Sequence, residues 1–395
     1  SNRNTCPQCR QIVISTIVNR DLMDMIESNN VLPSTTNPLF KFKNIENRKI
    51  NEVIIDKSRY AVYIIDNSGS MGNTDGKIVI KNNKSFTILE GVSRWNEAEY
   101  KIIEIANYNI KRNMVATYYL LNPLGNKWKD GLDYITIDPN NKEDVSKKLN
   151  ILKNTILDMN NIRGNTPLDV ITKKIRQSLH NFVNDSNYKS MPICYNIITD
   201  GDPNNKNLFE YELKKLSNNY NIFLTVNLCT DNDNTIEYYN DLDKKIGNEL
   251  GGLDVIDDIK GEQLEIMKAG NNFFTYSNDI HICRMAGCNF FVADLLDEEK
   301  LSIHHATTLV KQLLNNPDDI PHWTDRKNYI KTISKLNKSV YNLYYKCNTD
   351  LININNVDWM IWRYQLKKQI QSYNENYIWI IMITLFFLFI SIISS

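Results

Sequence analysis

The run Tyr60-Ala61-Val62-Tyr63-Ile64-Ile65 is apolar at every position and stops abruptly at Asp66. A strand with one face in water alternates polar and apolar residues, so an unbroken run of this length predicts a strand covered on both faces, as in a parallel sheet. Ile193–Thr199 repeats the pattern and ends at Asp200, and Met114–Leu121, Tyr134–Ile137 and Ile222–Leu228 add further strand signals. Between them lie helical patterns: Trp95 to Ile110, with Ile102, Ile103, Ala106 and Ile110 at helical spacing, then Leu168–Val183 and Leu208–Leu216. Strands alternating with helices predict an α/β fold with a doubly wound, mostly parallel sheet over residues 51–296. The alternation breaks after Gly72, where Lys77–Lys81 and Ser85–Leu89 flank Asn82-Asn83 and predict an inserted hairpin.

The chain has 395 residues, enough for one α/β unit with appendages. Residues 1–28 carry Cys6 and Cys9, residues 29–50 with Pro33 and Pro38 read as a linker, and residues 297–376 read as a helical, polar and aromatic extension. Residues 377–395 contain no charged side chain and are long enough to cross a bilayer as a transmembrane helix, with Tyr377 and Trp379 at the interface. Formal net charge is zero, from 46 basic and 46 acidic residues, and no long basic run exists, which argues against nucleic acid as a partner. The seven cysteines are an odd number, with Cys194 and Cys229 inside strand-like runs, so a reduced, packed role is expected of those two. The abundance of asparagine makes the Asn-x-Ser sites at Asn83, Asn184 and Asn337 expected by chance.

Doubly wound sheets bind ligands at the carboxyl ends of their strands. Asp66-Asn67-Ser68-Gly69-Ser70-Met71 and Asp200-Gly201-Asp202 both follow strands, and Gly164-Asn165-Thr166-Pro167 opens a helix between them. All three should meet at one sheet edge. Asp66 and Ser68 would also suit a simple tight turn. Asp202 reads as a solvated loop acid. An enzyme that attacks phosphate from an Asp after the first strand uses a second acid two residues on, and here that position is Ser68, so no catalytic role is expected.

Asp-x-Ser-x-Ser after a first buried strand, a Gly-x-Thr loop and an Asp-Gly after a later strand together resemble the metal-ion-dependent adhesion site of von Willebrand factor type A domains. The resemblance covers roughly residues 55–230 and implies that Asp66, Ser68, Ser70, Thr166 and Asp200 hold one divalent ion, Mg²⁺ or alternatively Mn²⁺ or Ca²⁺. Three neutral hydroxyls and two carboxylates would leave that ion electrophilic enough to accept an acidic side chain from a protein partner. The chain departs from the pattern in the hairpin after Met71, which should reshape the rim facing the partner.

Cys6-Pro7-Gln8-Cys9-Arg10 followed by Ile17-Val18-Asn19-Arg20-Asp21-Leu22 resembles the end of a RING-type finger, whose strand and helix U-box domains share without zinc. The resemblance implies Zn²⁺ at Cys6 and Cys9, with the other ligands before Ser1 and a start that is missing. His281, Cys283 and Cys288 could complete such a site but read as a packed or solvated set at helical spacing. Proteins that join such a finger to a type A domain are ubiquitin ligases. The finger recruits a ubiquitin-conjugating enzyme and the type A domain selects substrate. The expectation is a metal-dependent binding module held at a membrane by its C-terminal tail, with the main domain cytosolic. The alternatives are a competent ubiquitin ligase in a longer chain and an outward-facing adhesion protein. Tyr238–Asp243 and Leu253–Asp258 read as acid-rich loops closing the domain.

Overall fold

The computed structural model describes residues 60–82, 85–183, 193–220, 222–247, 253–287, 295–314 and 319–372. Strand β1 (Tyr60–Ile65) is followed by an antiparallel hairpin of β2 (Gly76–Asn82) and β3 (Ser85–Val92), then helix α1 (Arg94–Lys111). The chain continues through β4 (Val115–Leu120), β5 (Tyr134–Ile137), α2 (Lys142–Ile151), α3 (Leu168–Val183), β6 (Ile193–Thr199), α4 (Lys206–Asn219) and β7 (Ile222–Leu228). Helix α5 (Asp233–Leu242), β8 (Leu253–Ile256), α6 (Ile259–Lys268) and α7 (Asn278–Met285) complete the α/β layers. Beyond them lie α8 (Ile303–Leu313), α9 (Arg326–Leu336), a second hairpin of β9 (Ser339–Asn342) and β10 (Cys347–Asp350), and a helix over residues 354–372.

The main sheet has six strands in the order β5-β4-β1-β6-β7-β8, all parallel except β5, which runs antiparallel to β4. The chain winds outward from β1 to β4 and β5, then returns to place β6, β7 and β8 on the other side. The direction therefore reverses between β1 and β6, which are paired in register from Tyr60↔Ile193 to Ile65↔Ile198. The loops leaving these two strands lie at the point of reversal, the usual ligand position in such sheets.

Burial on both faces explains the unbroken apolar run of β1. Ala61, Tyr63 and Ile65 pack with Trp95, Ala98, Ile102 and Ile105 of α1, whereas Val62 and Ile64 pack with Leu168, Ile171 and Ile175 of α3 on the opposite face. Cys194 and Cys229 are buried free thiols. A third apolar cluster runs from Ile259 to Ile361, across position 296, and takes in Val79, Phe86 and Ile88 of the inserted hairpin at its margin.

Three stretches differ from the sequence reading. Tyr238–Asp243 lies mostly in α5 and Leu253–Ile256 is the edge strand β8, so neither is a loop. Asp254 tolerates a strand because Arg284 pairs with it at 2.9 Å. The extension expected to be helical also contains the β9–β10 hairpin, whose turn carries Lys346 at φ 52°. Among the described residues no helix is long and apolar enough to cross a membrane. Tyr377–Ser395, Cys6, Cys9, the segment 1–28, the linker 29–50 and Cys288 all lie outside the described residues.

Candidate functional site

Asp66 sits one residue beyond the end of β1, fully buried, and its amide donates to the Ile198 carbonyl of β6 at 2.8 Å. Its carboxylate accepts from the Ser68 amide at 2.8 Å and from the Thr199 hydroxyl at 2.6 Å. Burial pushes the Asp66 carboxyl up to about 6; the Thr199 hydroxyl opposes this, and the charge of Asp200 adds to it. Ser68 and Ser70 place their hydroxyls 3.1 Å apart, and the Ser70 hydroxyl donates to Asp200 Oδ1 at 2.9 Å. Four of the five residues singled out in the sequence are thus joined in one hydrogen-bonded chain. The fifth, Thr166, is buried at the start of α3, and the distance from its hydroxyl to a Cβ built on Gly201 would be 3.6 Å, which puts it beside Asp200.

Backbone bonds hold these loops in place. The Gly69 amide donates to the Gly164 carbonyl at 3.1 Å, and Gly164 has φ +77°, a conformation that suits glycine. The Thr166 amide donates to Asn204 Oδ1 at 3.1 Å, tying the Thr166 loop to the one after β6. Asn67, fully buried, donates to the carbonyls of Asn122 at 3.0 Å and Asn161 at 2.8 Å and accepts from the Asn122 amide at 2.7 Å. Asn122 in turn donates to the carbonyls of Arg163 and Asn165. One asparagine pair therefore locks three loops together.

A cation already reaches the cluster. Arg94 Nη1 donates to Asp200 Oδ2 at 2.8 Å, and its Nε and Nη2 make two bonds to Asp75, at 2.6 and 2.7 Å. Pairing with these carboxylates raises the pKa of Arg94 and lowers that of Asp75. The inserted hairpin sets this position. A Cβ on Gly76 would meet the Ser93 carbonyl oxygen at 2.8 Å, so glycine lets β2 pass directly over the start of α1. The Arg94 amide donates to the Asn73 carbonyl at 2.8 Å.

Sequence reasoning missed Arg94, Asp75, Asn67, Asn122 and Thr199. In so asparagine-rich a chain, Asn67 and Asn122 carry no distinguishing signal, and Arg94 lies a full hairpin away from the motif it touches. Asp202 pairs with Lys206 at 2.6 Å and takes no part in the cluster's bonds. His281 and Cys283 are buried on α7, bonded to Tyr276 and Tyr108 respectively.

Fold and loop geometry together define a doubly wound α/β domain with a polar, carboxylate-containing cluster at the point where the winding reverses. Among solved structures, the PilB minor pilin from Streptococcus sanguinis is similar over 60% of this chain and 63% of its own length, at 14% identity and a TM-score of 0.36. A von Willebrand factor type A protein from Catenulispora acidiphila is similar over 51% of this chain and 39% of its own, at 12% identity and TM-score 0.30. The SpRpn10 VWA domain is similar over 51% of this chain and 88% of its own, at 13% identity and TM-score 0.31. The chain spans less than two thirds of the length of the first two. No family model and no curated protein matches it.

Proposed function

We propose that the loop cluster at the ends of β1 and β6 holds a divalent metal ion through which the domain grips a carboxylate on a protein partner. The observation that carries this reading is the spacing of the donor oxygens. Ser68 Oγ to Ser70 Oγ is 3.1 Å and Ser70 Oγ to Asp200 Oδ1 is 2.9 Å. Neighbouring ligands of an octahedral ion with 2.0–2.1 Å bonds stand about 2.9 Å apart, so oxygens at this spacing can take adjacent positions around one divalent ion. Ser68, Ser70 and Thr166 would offer neutral oxygens and Asp200 a direct charge. Asp66, whose two oxygens each accept from a protein donor, would act at one remove through water. The ion, when bound, supplies a positive centre open to an acidic side chain. The position two residues after Asp66 is Ser68 rather than a second acid, which favours a binding role over catalysis.

The test is a calorimetric Mg²⁺ titration of the full chain against Asp66→Ala, followed by capture of protein partners with and without chelator. Binding by the wild type, none by the variant, and partner capture lost in chelator would support the reading. Thr166→Ala should weaken capture by about 1.5–3 kcal/mol, the range for a hydrogen bond to a charged group. Equal Mg²⁺ affinity of wild type and Asp66→Ala, or undiminished capture in chelator, would overturn it.

A further inference from the structure

The helix over residues 354–372 presents two different faces. Val357 and Ile361 are buried in the third core, and the ring of Tyr364 packs on Trp323 at 5.1 Å and on His304 at 6.0 Å. On the other side Trp359, Trp362, Leu366 and Ile370 follow one another at steps of three and four, so they form one stripe. Trp359 is 42% exposed, Trp362 44% and Ile370 37%, values unusual for side chains of this size. Arg363 lies beside the stripe with its guanidinium 5.1 Å from the Trp359 ring centroid, and Lys367 is exposed next to Leu366.

Charge is concentrated in the same region. Residues 326–372 hold nine Lys or Arg against two Asp, a formal excess of +7 in a chain whose total is zero. One of those two acids, Asp358, is already paired with Arg326 at 2.6 Å. The uncharged segment Tyr377–Ser395 begins five positions after Ser372. Five residues reach at most about 18 Å even when fully extended.

We infer that this helix is a membrane-surface element whose Trp359–Trp362–Leu366–Ile370 stripe docks onto a bilayer rich in anionic lipid. Tryptophan and leucine on one side with arginine and lysine at its border is the composition of helices that lie in the headgroup plane. A guanidinium resting on an indole can keep its charge at the phosphates while the ring enters the apolar boundary. The positive excess selects anionic over neutral headgroups. If the adjacent segment enters the bilayer, the short connection holds the helix close to the surface it would bind. The inference is independent of the metal site.

The experiment is amide hydrogen exchange of residues 354–372 in the full chain, with no lipid, with neutral phosphatidylcholine vesicles and with vesicles containing phosphatidylserine. Slower exchange only with the anionic vesicles, reversed by high salt, is the expected result. Arg363→Gln and Lys367→Gln together should weaken binding to the anionic vesicles about 25-fold, because each charge contributes roughly fivefold to anionic-surface binding. Trp362→Ser should reduce it with all charges intact. Capture of the chain by neutral vesicles reports insertion of 377–395 separately, since it needs no anionic lipid. The inference falls if exchange is the same in all three conditions. It also falls if RNA protects it as strongly as the anionic vesicles.

Discussion

Replacing Arg94 with glutamine should separate the fold's own cation from the metal proposed to share its partner. Asp200 Oδ2 is held by Arg94 Nη1 at 2.8 Å, with the Asp200 side chain fully buried and that of Arg94 13% exposed. Two further bonds to Asp75 fix the guanidinium, so it cannot swing away freely. A divalent ion bound through Asp200 must therefore share that carboxylate with a fixed positive charge. A hydrogen bond to a charged group is worth about 1.5–3 kcal/mol, and its removal should tighten Mg²⁺ by about 10- to 100-fold. Without metal the variant leaves Asp200 buried without a cationic partner, which should cost about 3–5 kcal/mol and lower the melting temperature by roughly 10 °C. The signature is paired: a less stable apo protein that recovers more on adding Mg²⁺. Calorimetric titration gives the affinity, and thermal denaturation with and without Mg²⁺ gives the recovery. Arg94→Lys, which keeps the charge but loses the fork, should fall between the two and serves if the glutamine variant does not fold. An unchanged or weaker Mg²⁺ affinity in Arg94→Gln would refute the reasoning.

Asn67→Ala removes three side-chain hydrogen bonds that tie the loops after β1 and β4 to Asn161, and should lower unfolding free energy by about 2–4 kcal/mol in denaturant titration. A loss under about 0.5 kcal/mol, the range of an ordinary surface change, would mean the loops hold without it. Asp257 has its carboxyl pushed up to about 6, by burial first and then by the charge of Asp258. Its folded-state pKa is above the unfolded value near 3.9, so the proton is held more tightly in the folded state. The associated stability is complete below about pH 4 and is lost as pH rises through about 6. Asp257→Asn should match the wild type at pH 4 and exceed it at pH 7.5 by about 1–2 kcal/mol after screening. Equal stabilities at pH 7.5 would count against it. A chain ending at Asn376 should stay in the aqueous phase of a detergent partition while the full chain enters the detergent. If both stay in water, Tyr377–Ser395 is not an anchor.

Strand positions in the α/β layers were largely legible because burial on both faces leaves a local record. Tyr134–Ile137 and Ile222–Leu228 have the expected bounds, and the inserted hairpin lies where the alternation breaks. Edge strand β8 escaped notice for a physical reason. Asp254 and its acidic neighbours look like a loop until Arg284, thirty positions later, enters the core with Asp254, Glu262 and Asp297 around it. With one guanidinium among three carboxylates, burial raises the pKa of Glu262. Such compensation has no local signature.

The sequence by itself determined which segments become central strands and that Asp66, Ser68 and Ser70, Thr166 and Asp200 lie on loops leaving the same sheet edge. Those properties follow from side-chain periodicity and from strands running parallel, both of which act over a few residues at a time. Only the tertiary structure decided that Arg94 bridges Asp75 and Asp200, that Asn67 and Asn122 lock three loops, and that Trp359, Trp362 and Ile370 are left exposed. Each of these depends on hydrogen bonds and packing between residues distant in the chain. Short-range forces can select those partners only after the sheet has brought the segments together.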